Sequence, residues 1–360
     1  MIELPERMAK VTPAWLQQAV ADHPAFTGTR ITGMRAARIG EGIGQMSELA
    51  RVELTYAGAP GPASVVVKLQ TPFEGMLSIG ERYEMYARET AFYQTLAPEV
   101  TVPLPAVYFG AWDPAARRNT LVLEDLAHWY WPDQLQGATA QQAQRCVDAL
   151  AQLGAGHWGA DFAAQPWLPD TQDAALRAAV ADYELCVPLT TDRLQAYLSP
   201  AARDACMRIL ANMTWLLAEL AQPPLVLTHY DCRLENFVFE DASASRLALL
   251  DWQLVAKLHP GWDIAYFLGT SLTEAQRRML QPALLAQYLD GLRRYGVRDY
   301  DEGNLARDFR LGTMAMTLIP IIGGAGFDMS NARSLELFGS MARRAFTSVL
   351  DNDCLTLLPA

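Results

Sequence analysis

The sequence contains few cysteines and few basic residues for its length. Five cysteines are spread over 360 residues, and no two of them form a CxxC pair. This pattern is typical of free thiols in a reducing compartment rather than of a disulfide framework. Lys and Arg together number 29 against 40 Asp and Glu, which gives a net charge of −11. Because nucleic-acid-binding surfaces are basic, this balance argues against a nucleic-acid partner.

An uninterrupted apolar run long enough to span a bilayer is also missing from the sequence. The longest uncharged stretch, residues 311–327, contains Pro320 and four glycines, and it falls short of the roughly 20 residues that a spanning helix needs. We therefore expect a buried helix followed by a loop, and no membrane span. The first ten residues carry Glu3 and Glu6 and no apolar core, unlike a secretion signal. These features predict a cytoplasmic globular protein.

The length and the apolar content predict two domains, and the residue pattern predicts that they differ in secondary structure. Apolar residues make up 51% of the chain, enough for a sizeable core, and 360 residues fit two domains. Residues 31–125 have the pattern of strands with one helix, whereas residues 139–350 are mostly helical around a strand-rich island at 225–256. Thr139 is the expected cap of one of these helices, and residues 201–221 are expected to form another. We therefore predict an α+β chain, with a small β-rich N-terminal lobe (1–124) and a larger, mostly helical C-terminal lobe (125–360).

Two strands and a helix are expected in the first lobe. Residues 48–56 alternate apolar and polar side chains, and residues 64–69 are rich in valine. A Gly/Pro turn at 57–62 separates them, which predicts a hairpin. Residues 81–96 repeat apolar side chains at helical spacing and stop before Pro98, which predicts one helix.

The most informative segment of the chain is HYDCRLENFVF (229–239), followed by LALLDWQ (247–253). Asp231 follows one short apolar run, Asn236 opens the next, and Asp251 ends the third. A polar turn separates the second run from the third, which predicts a hairpin. Two carboxylates and one amide therefore converge at one edge of a small sheet. Hard divalent cations prefer such oxygen ligands, and a carboxylate not bound to metal can accept a proton from an alcohol.

This segment resembles the aminoglycoside phosphotransferase group of the kinase superfamily and its ecdysteroid-kinase-like and hydroxyacyl-CoA-phosphorylating relatives. The family pattern is H-G-D-x-x-x-x-N followed by D-[WF]-[EQ], and the match here runs from His229 to Asn236 and then from Asp251 to Gln253. The resemblance implies a bilobed protein-kinase-like fold that uses ATP and Mg²⁺. Asp231 would be the catalytic base, Asn236 and Asp251 would bind Mg²⁺, and His229 would fix the loop.

Further positions match the family in chain order. The resemblance implies a glycine-bearing nucleotide loop, a strand lysine on the α/β phosphates, its acidic ion-pair partner, a hinge whose backbone binds adenine, and a structural aspartate. In this sequence the loop glycines are Gly42 and Gly44 within residues 40–47, the strand lysine is Lys68, and its acidic partner is Glu89. The hinge residues are Glu124 and Leu126, and the structural aspartate is Asp263. The resemblance covers roughly residues 34–350, and the preserved order makes it specific.

Each of these signals also has an ordinary structural interpretation. Asp231 and Asn236 could form a simple turn, and the glycines a flexible hairpin. Lys68 could face solvent on an edge strand. Glu89 could pair with Arg82 or Arg88 on its own helix.

The departures from the pattern narrow the function. Tyr230 replaces the family's glycine, and Trp252-Gln253 replaces the Phe-Gly of protein kinases. No A-P-E motif follows Asp251, so a protein substrate is disfavoured. The predicted function is transfer of the γ-phosphoryl group of ATP to a hydroxyl of a small molecule. That acceptor could be a steroid- or lipid-like alcohol, a hydroxyacyl thioester or an aminoglycoside, and the oligomeric state is open. The rival hypothesis is a catalytically silent nucleotide-binding module.

Overall fold

The computed structural model describes residues 2–40, 46–327 and 330–359. The chain divides into two compact units. Unit 1 comprises Met1–Glu99 and Leu104–His128, and unit 2 comprises Val100–Pro103 and Trp129–Ala360.

Unit 1 is built on a five-stranded antiparallel sheet. Its strands lie in the order β1-β2-β3-β5-β4. They are β1 (Thr29–Ile39), β2 (Ser47–Gly58), β3 (Ser64–Gln70), β4 (Val107–Asp113) and β5 (Arg118–Glu124). The predicted hairpin is confirmed, since β2 and β3 pair from Ser47↔Gln70 to Glu53↔Ser64.

Apolar side chains of the inner strands form the core of unit 1. Val52, Val65, Val67 and Val122 are fully buried, and they pack with Leu16 of helix α1 (Pro13–Ala19). Val65, Val67 and Leu69 of β3 alternate along the strand and face this core, as the two-residue period of a strand requires.

The prediction of one continuous helix over residues 81–96 is wrong, because the structure has separate helical segments there. The structure has α2 (Glu74–Arg82), α3 (Met85–Ala91) and then a π-helical segment, Phe92–Leu96. Glu84 breaks the run with a left-handed φ of 54°. The break lets the ring of Tyr86 fold back onto Gly80, where a Cβ would lie 2.6 Å from it. Apolar periodicity continues across this turn, so the sequence pattern did not reveal it.

Unit 2 is mostly helical. Its helices are α4 (Ala140–Gly156), α5 (Ala174–Arg193), α6 (Pro200–Ala211), α7 (Met213–Leu220), α8 (Gly261–Ser271), α9 (Glu274–Arg294), α10 (Glu302–Ala315), α11 (Leu318–Gly326) and α12 (Ala332–Asp351). Thr139 caps α4 with a complete capping box. The helical pattern seen over 201–221 is two helices, which meet at Asn212.

In the part of unit 2 that the structure describes, four short strands form two small sheets. The predicted hairpin is confirmed, since β7 (Phe237–Phe239) pairs with β8 (Leu247–Leu249). The strand before the motif, β6 (Val226–Thr228), pairs instead with β9 (Ala256–Leu258). The loop that carries the motif therefore leaves one small sheet and enters another.

Helix α8 lies in the interior of unit 2. Every residue from Gly261 to Ser271 is buried. It crosses α10 at very short range: a Cβ on Gly261 would lie 2.1 Å from the carbonyl oxygen of Asp308, and a Cβ on Gly312 would lie 2.4 Å from that of Gly261. Glycine at both positions lets the two backbones touch.

The segment that includes the longest apolar stretch is helical. By length and composition alone, Glu302–Gly326, which contains α10 and α11, is long and apolar enough to cross a membrane. However, 72% of its most apolar window is buried inside the structure. The described residues of this segment pack as core helices of unit 2.

Candidate active site

The loop between β6 and β7 brings Asp231 and Asn236 together. The amide nitrogen of Asn236 donates to the backbone carbonyl of Asp231 at 2.7 Å and to its carboxylate Oδ2 at 3.2 Å. Asn236 is buried, and the Asp231 side chain retains 18% of its exposure. The two residues are thus held as one unit at the loop surface, as their five-residue spacing predicted.

Asp251 follows β8 in a left-handed conformation, with φ 64° and ψ 70°. The backbone beside it is fixed to the same loop. Leu250 donates its N–H to the carbonyl of Asn236 at 2.8 Å, and its own carbonyl is 2.8 Å from Nε2 of His229. These contacts tie Asp251 to both ends of the segment 229–236. The structure therefore places the three predicted residues around one hairpin, with Asp231 and Asn236 before β7 and Asp251 after β8.

A buried carboxylate on α8 holds the start of the loop. The two oxygens of Asp263 accept the backbone N–H groups of His229, at 2.8 Å, and of Tyr230, at 3.0 Å. Burial raises the pKa of Asp263, while His229 and the hydrogen bonds to its charged form oppose that rise. Asp263 thus has the structural place that the sequence resemblance implied.

Tyr230, the residue that replaces the family's glycine, has a φ of 74°. A bulky residue is rare in this left-handed region. Its ring packs against Trp262 with 4.4 Å between centroids, and the Trp262 indole donates to its backbone carbonyl at 2.9 Å. Tyr230 is 5% exposed, so its ring belongs to the core of unit 2.

Tyr266 is a residue of this candidate site that the sequence motif does not include. Its hydroxyl donates to Oδ1 of Asp231 at 2.7 Å. Burial raises the pKa of Tyr266 well above its ordinary value, and the carboxylate of Asp231 raises it further, so the phenol stays a neutral donor. The available signal was its place three residues after Asp263, on the same face of α8.

Arg233 lies between the carboxylates of this loop. Its Nε is 3.8 Å from Oδ2 of Asp231. Burial lowers the pKa of Arg233, but Asp231, Glu235 and Asp251 raise it more, and the net shift is upward. Arg233 therefore stays charged and offsets part of the negative charge around Asp231.

Cys232 follows Asp231 but has no nucleophilic character. It is fully buried, and burial raises the pKa of its thiol well above the ordinary value. Since the thiolate is the reactive form, this side chain is inert. This burial agrees with the sequence, in which no second cysteine lies close to Cys232.

The donor chemistry at Asn236 and Asp251 fits a hard divalent cation. Asn236 directs its nitrogen toward Asp231, which leaves its amide oxygen on the other side of the group. An amide oxygen and a carboxylate are suitable ligands for Mg²⁺, which usually takes one or two carboxylates and completes its shell with phosphates and water. Among the described residues, no group of three or more His, Cys, Asp or Glu side chains could hold a metal by itself.

In unit 1, Lys68 and Glu89 form a buried ion pair. Lys68 Nζ lies 2.8 Å from Oε1 of Glu89, and the side chains keep 7% and 1% of their exposure. The solvent-facing interpretation of Lys68 is wrong, because β3 lies between β2 and β5 and Lys68 pairs with Leu49 and Leu121. A buried charge of this kind needs its partner.

The predicted hinge residues lie at the end of β5, where Asp125 fixes the chain. Its Oδ2 accepts from Ser64 at 2.7 Å and from Arg51 at 2.8 Å, and its Oδ1 accepts the N–H of Ala127 at 3.1 Å. These bonds hold the backbone between Glu124 and Leu126. The sequence singled out those two positions and missed the role of Asp125. The predicted Gly42 and Gly44 lie outside the described residues.

A family model described as "phosphotransferase enzyme family" (APH) matches residues 59–300. The match covers more than half of the chain and includes the segment from Lys68 to Asp263. The chain therefore belongs to the APH phosphotransferase family. A search among curated proteins found no match.

Two solved structures share the fold. A choline kinase from Cryptosporidium parvum Iowa II has a TM-score of 0.55 at 11% identity, over 95% of this chain and 92% of that one. A candidate aminoglycoside phosphotransferase from Ralstonia eutropha JMP134 has a TM-score of 0.52 at 14% identity, over 94% and 97%. The predicted α+β, protein-kinase-like fold is confirmed.

Proposed function

We propose that this protein transfers the γ-phosphoryl group of ATP to a hydroxyl of a small molecule, in a reaction that depends on Mg²⁺. The observation that carries the proposal is the hydrogen-bonded pair of Asp231 and Asn236 in a member of a phosphotransferase family. A positioned carboxylate next to an oxygen ligand for metal is what phosphoryl transfer to an alcohol requires.

In unit 2, Asp231 would accept the proton of the acceptor hydroxyl. Asn236 and Asp251 would hold Mg²⁺, which when bound would neutralise charge on the nucleotide phosphates. Arg233 adds positive charge 3.8 Å from Asp231. Residues 125–360 would then form the catalytic and acceptor-binding domain.

In unit 1, Lys68 would contact the α/β phosphates, held in place by Glu89. The backbone of Glu124 and Leu126 would bind adenine, on a segment that Asp125 fixes. The glycines of residues 40–47, with Gly42 and Gly44, would approach the phosphates through their N–H groups. Residues 1–124 would then form the nucleotide-binding domain.

The proposed acceptor belongs to one of the three classes inferred from the sequence. These are a steroid- or lipid-like alcohol, a hydroxyacyl thioester and an aminoglycoside. A location in the cytoplasm follows from the composition and stays a prediction.

The test is ATP consumption by the purified protein with Mg²⁺, against pools of sterols, hydroxyacyl-CoA thioesters and aminoglycosides. Asp251→Asn is the site variant, and Asp290→Asn is its matched control, since Asp290 is 69% exposed on α9. We expect a phosphorylated product with the wild type and the control, and a large loss with Asp251→Asn.

The outcomes separate the two hypotheses for this chain. Mg-ATP binding that Asp251→Asn removes, without turnover on any pool or on water, would favour the silent nucleotide-binding module. Absence of nucleotide binding in the wild type would overturn both. Full activity in Asp251→Asn would remove that residue from the metal site.

A further inference from the structure

Helix α8 contacts three consecutive residues of the motif loop from one buried face. Asp263 accepts the N–H groups at the start of 229–231, Trp262 donates to the carbonyl in the middle, and Tyr266 donates to the carboxylate at the end. The first two contacts bind backbone and fix the path of the loop. The third binds the side chain whose chemistry the proposed function uses.

The two carboxylate oxygens of Asp231 are held unequally. Oδ1 accepts a short hydrogen bond of 2.7 Å from the Tyr266 hydroxyl. Oδ2 has a longer contact of 3.2 Å to Nδ2 of Asn236 and lies 3.8 Å from Nε of Arg233. Because a lone pair engaged in a short hydrogen bond is a poorer proton acceptor, Oδ2 is the oxygen better placed to react.

We propose that Tyr266 is a positioning residue that holds Oδ1 of Asp231 so that Oδ2 faces the acceptor hydroxyl. This inference rests on the proposed function of Asp231. In the step it serves, the acceptor oxygen forms a bond to the γ-phosphorus, and its proton moves to Oδ2. The bond from the γ-phosphorus to the β–γ bridging oxygen breaks, and ADP leaves with that electron pair.

The surroundings of Tyr266 suit such a role. The residue is fully buried on a helix whose described residues are all buried, so its hydroxyl has little freedom to move. Its charged neighbours are Asp231 and Arg233, and Cys232 lies beside them as a neutral thiol. The aromatic ring fills core volume, and Tyr266→Phe keeps that volume while it removes only the donor.

The experiment is a double-mutant cycle on turnover. The variants are Tyr266→Phe, Asp231→Asn and the combination of the two, assayed with the acceptor found above and with water as acceptor. Tyr288→Phe is the matched control, since its hydroxyl is also buried and donates to a backbone carbonyl at Pro260, at the start of α8. Thermal unfolding is measured for every variant.

We expect Tyr266→Phe to lower kcat by about 10- to 100-fold, the range for loss of one hydrogen bond to a charged group. The KM for ATP should stay unchanged, and Tyr288→Phe should keep wild-type kcat. In the Asp231→Asn background, adding Tyr266→Phe should cause almost no further loss, because the bond it removes acts through Asp231.

Each outcome has one meaning. Normal kcat in Tyr266→Phe, with Asp231→Asn impaired, overturns the positioning role and leaves the proposed function intact. Equal fold-losses from Tyr266→Phe in both backgrounds also overturn it, since they show an effect independent of Asp231. Full activity of Asp231→Asn removes Asp231 as proton acceptor and overturns the inference, although phosphoryl transfer itself stands. No turnover by the wild type overturns the proposed function and the inference with it.

Discussion

The Nζ atom of Lys68 and the Oε1 atom of Glu89 lie 2.8 Å apart, and both side chains are almost entirely buried. Neither charge is exposed enough to be solvated by bulk water. Each charge is stabilised by the other, and this contact couples the stability of unit 1 to the geometry of Lys68.

We predict that Glu89→Gln lowers the free energy of unfolding by about 3–5 kcal/mol, because it removes one partner of the buried ion pair with Lys68. Urea denaturation measures this change. The control is Glu53→Gln, which breaks the exposed Arg35–Glu53 pair on β1 and β2 and should change stability little. Similar losses in the two variants would contradict the interpretation of the Lys68 pair.

Asp231→Asn should lower turnover by about 10²- to 10⁴-fold, since the amide cannot accept the acceptor's proton. Nucleotide affinity, measured by titration calorimetry, should stay near the wild-type value. Asp290→Asn provides the same chemical change on an exposed surface and should be silent. A variant that only raises KM would show that Asp231 binds the acceptor without accepting its proton.

Tyr230→Gly has two opposing effects on the free energy of unfolding. Glycine relieves the left-handed φ, by about 1–2 kcal/mol, but it removes a buried aromatic side chain, a change that costs about 3–5 kcal/mol. The packing term is larger, so we expect a net loss of stability in chemical denaturation. Glu84→Gly is the comparison, because Glu84 has a similar φ but is exposed, and it should be neutral or stabilising. A more stable Tyr230→Gly would show that strain outweighs packing.

The ion pair at the end of α12 predicts a pH-dependent contribution to stability. Partial burial raises the pKa of Asp351, but Arg278 and Arg277 lower it more, so the net shift is downward. A carboxyl with a lowered folded pKa stabilises above its unfolded value of about 3.9. That contribution is lost as the pH falls through the folded pKa. Asp351→Asn should therefore be less stable than wild type between pH 5 and 7.

The same difference should vanish when the pH is taken well below 4. Urea unfolding of the two proteins across this range measures it. A gap that stays constant down to pH 2 would mean that Asp351 acts through packing and not through its charge.

The sequence predicted the features of the fold that depend on local patterns. The β2–β3 hairpin, the Thr139 cap and the β7–β8 hairpin follow from alternation, a capping residue and a polar turn. It did not predict the β6–β9 pairing, because the two strands are three residues each and their partners are set by tertiary packing.

For the candidate site too, the sequence predicted what depends on local spacing. Spacing alone placed Asp231, Asn236 and Asp251 around one hairpin, as the structure has them. Tyr266 and Asp125 were not predicted because their hydrogen bonds join residues far apart in the sequence. The partner of Tyr266 is 35 positions away, and the partners of Asp125 are 61 and 74 positions away. Such contacts depend on how α8 and β5 pack, which no local pattern encodes.

The hydrogen bonds from the loop to Asp263 have a consequence for amide hydrogen exchange. The N–H groups of His229 and Tyr230 donate to a buried carboxylate on another element, so exchange requires α8 to separate from the loop. Since α8 is the buried centre of unit 2, that separation is close to unfolding of the unit as a whole. These two loop amides should exchange as slowly as those of the core helices, in contrast to the fast exchange usual for loops.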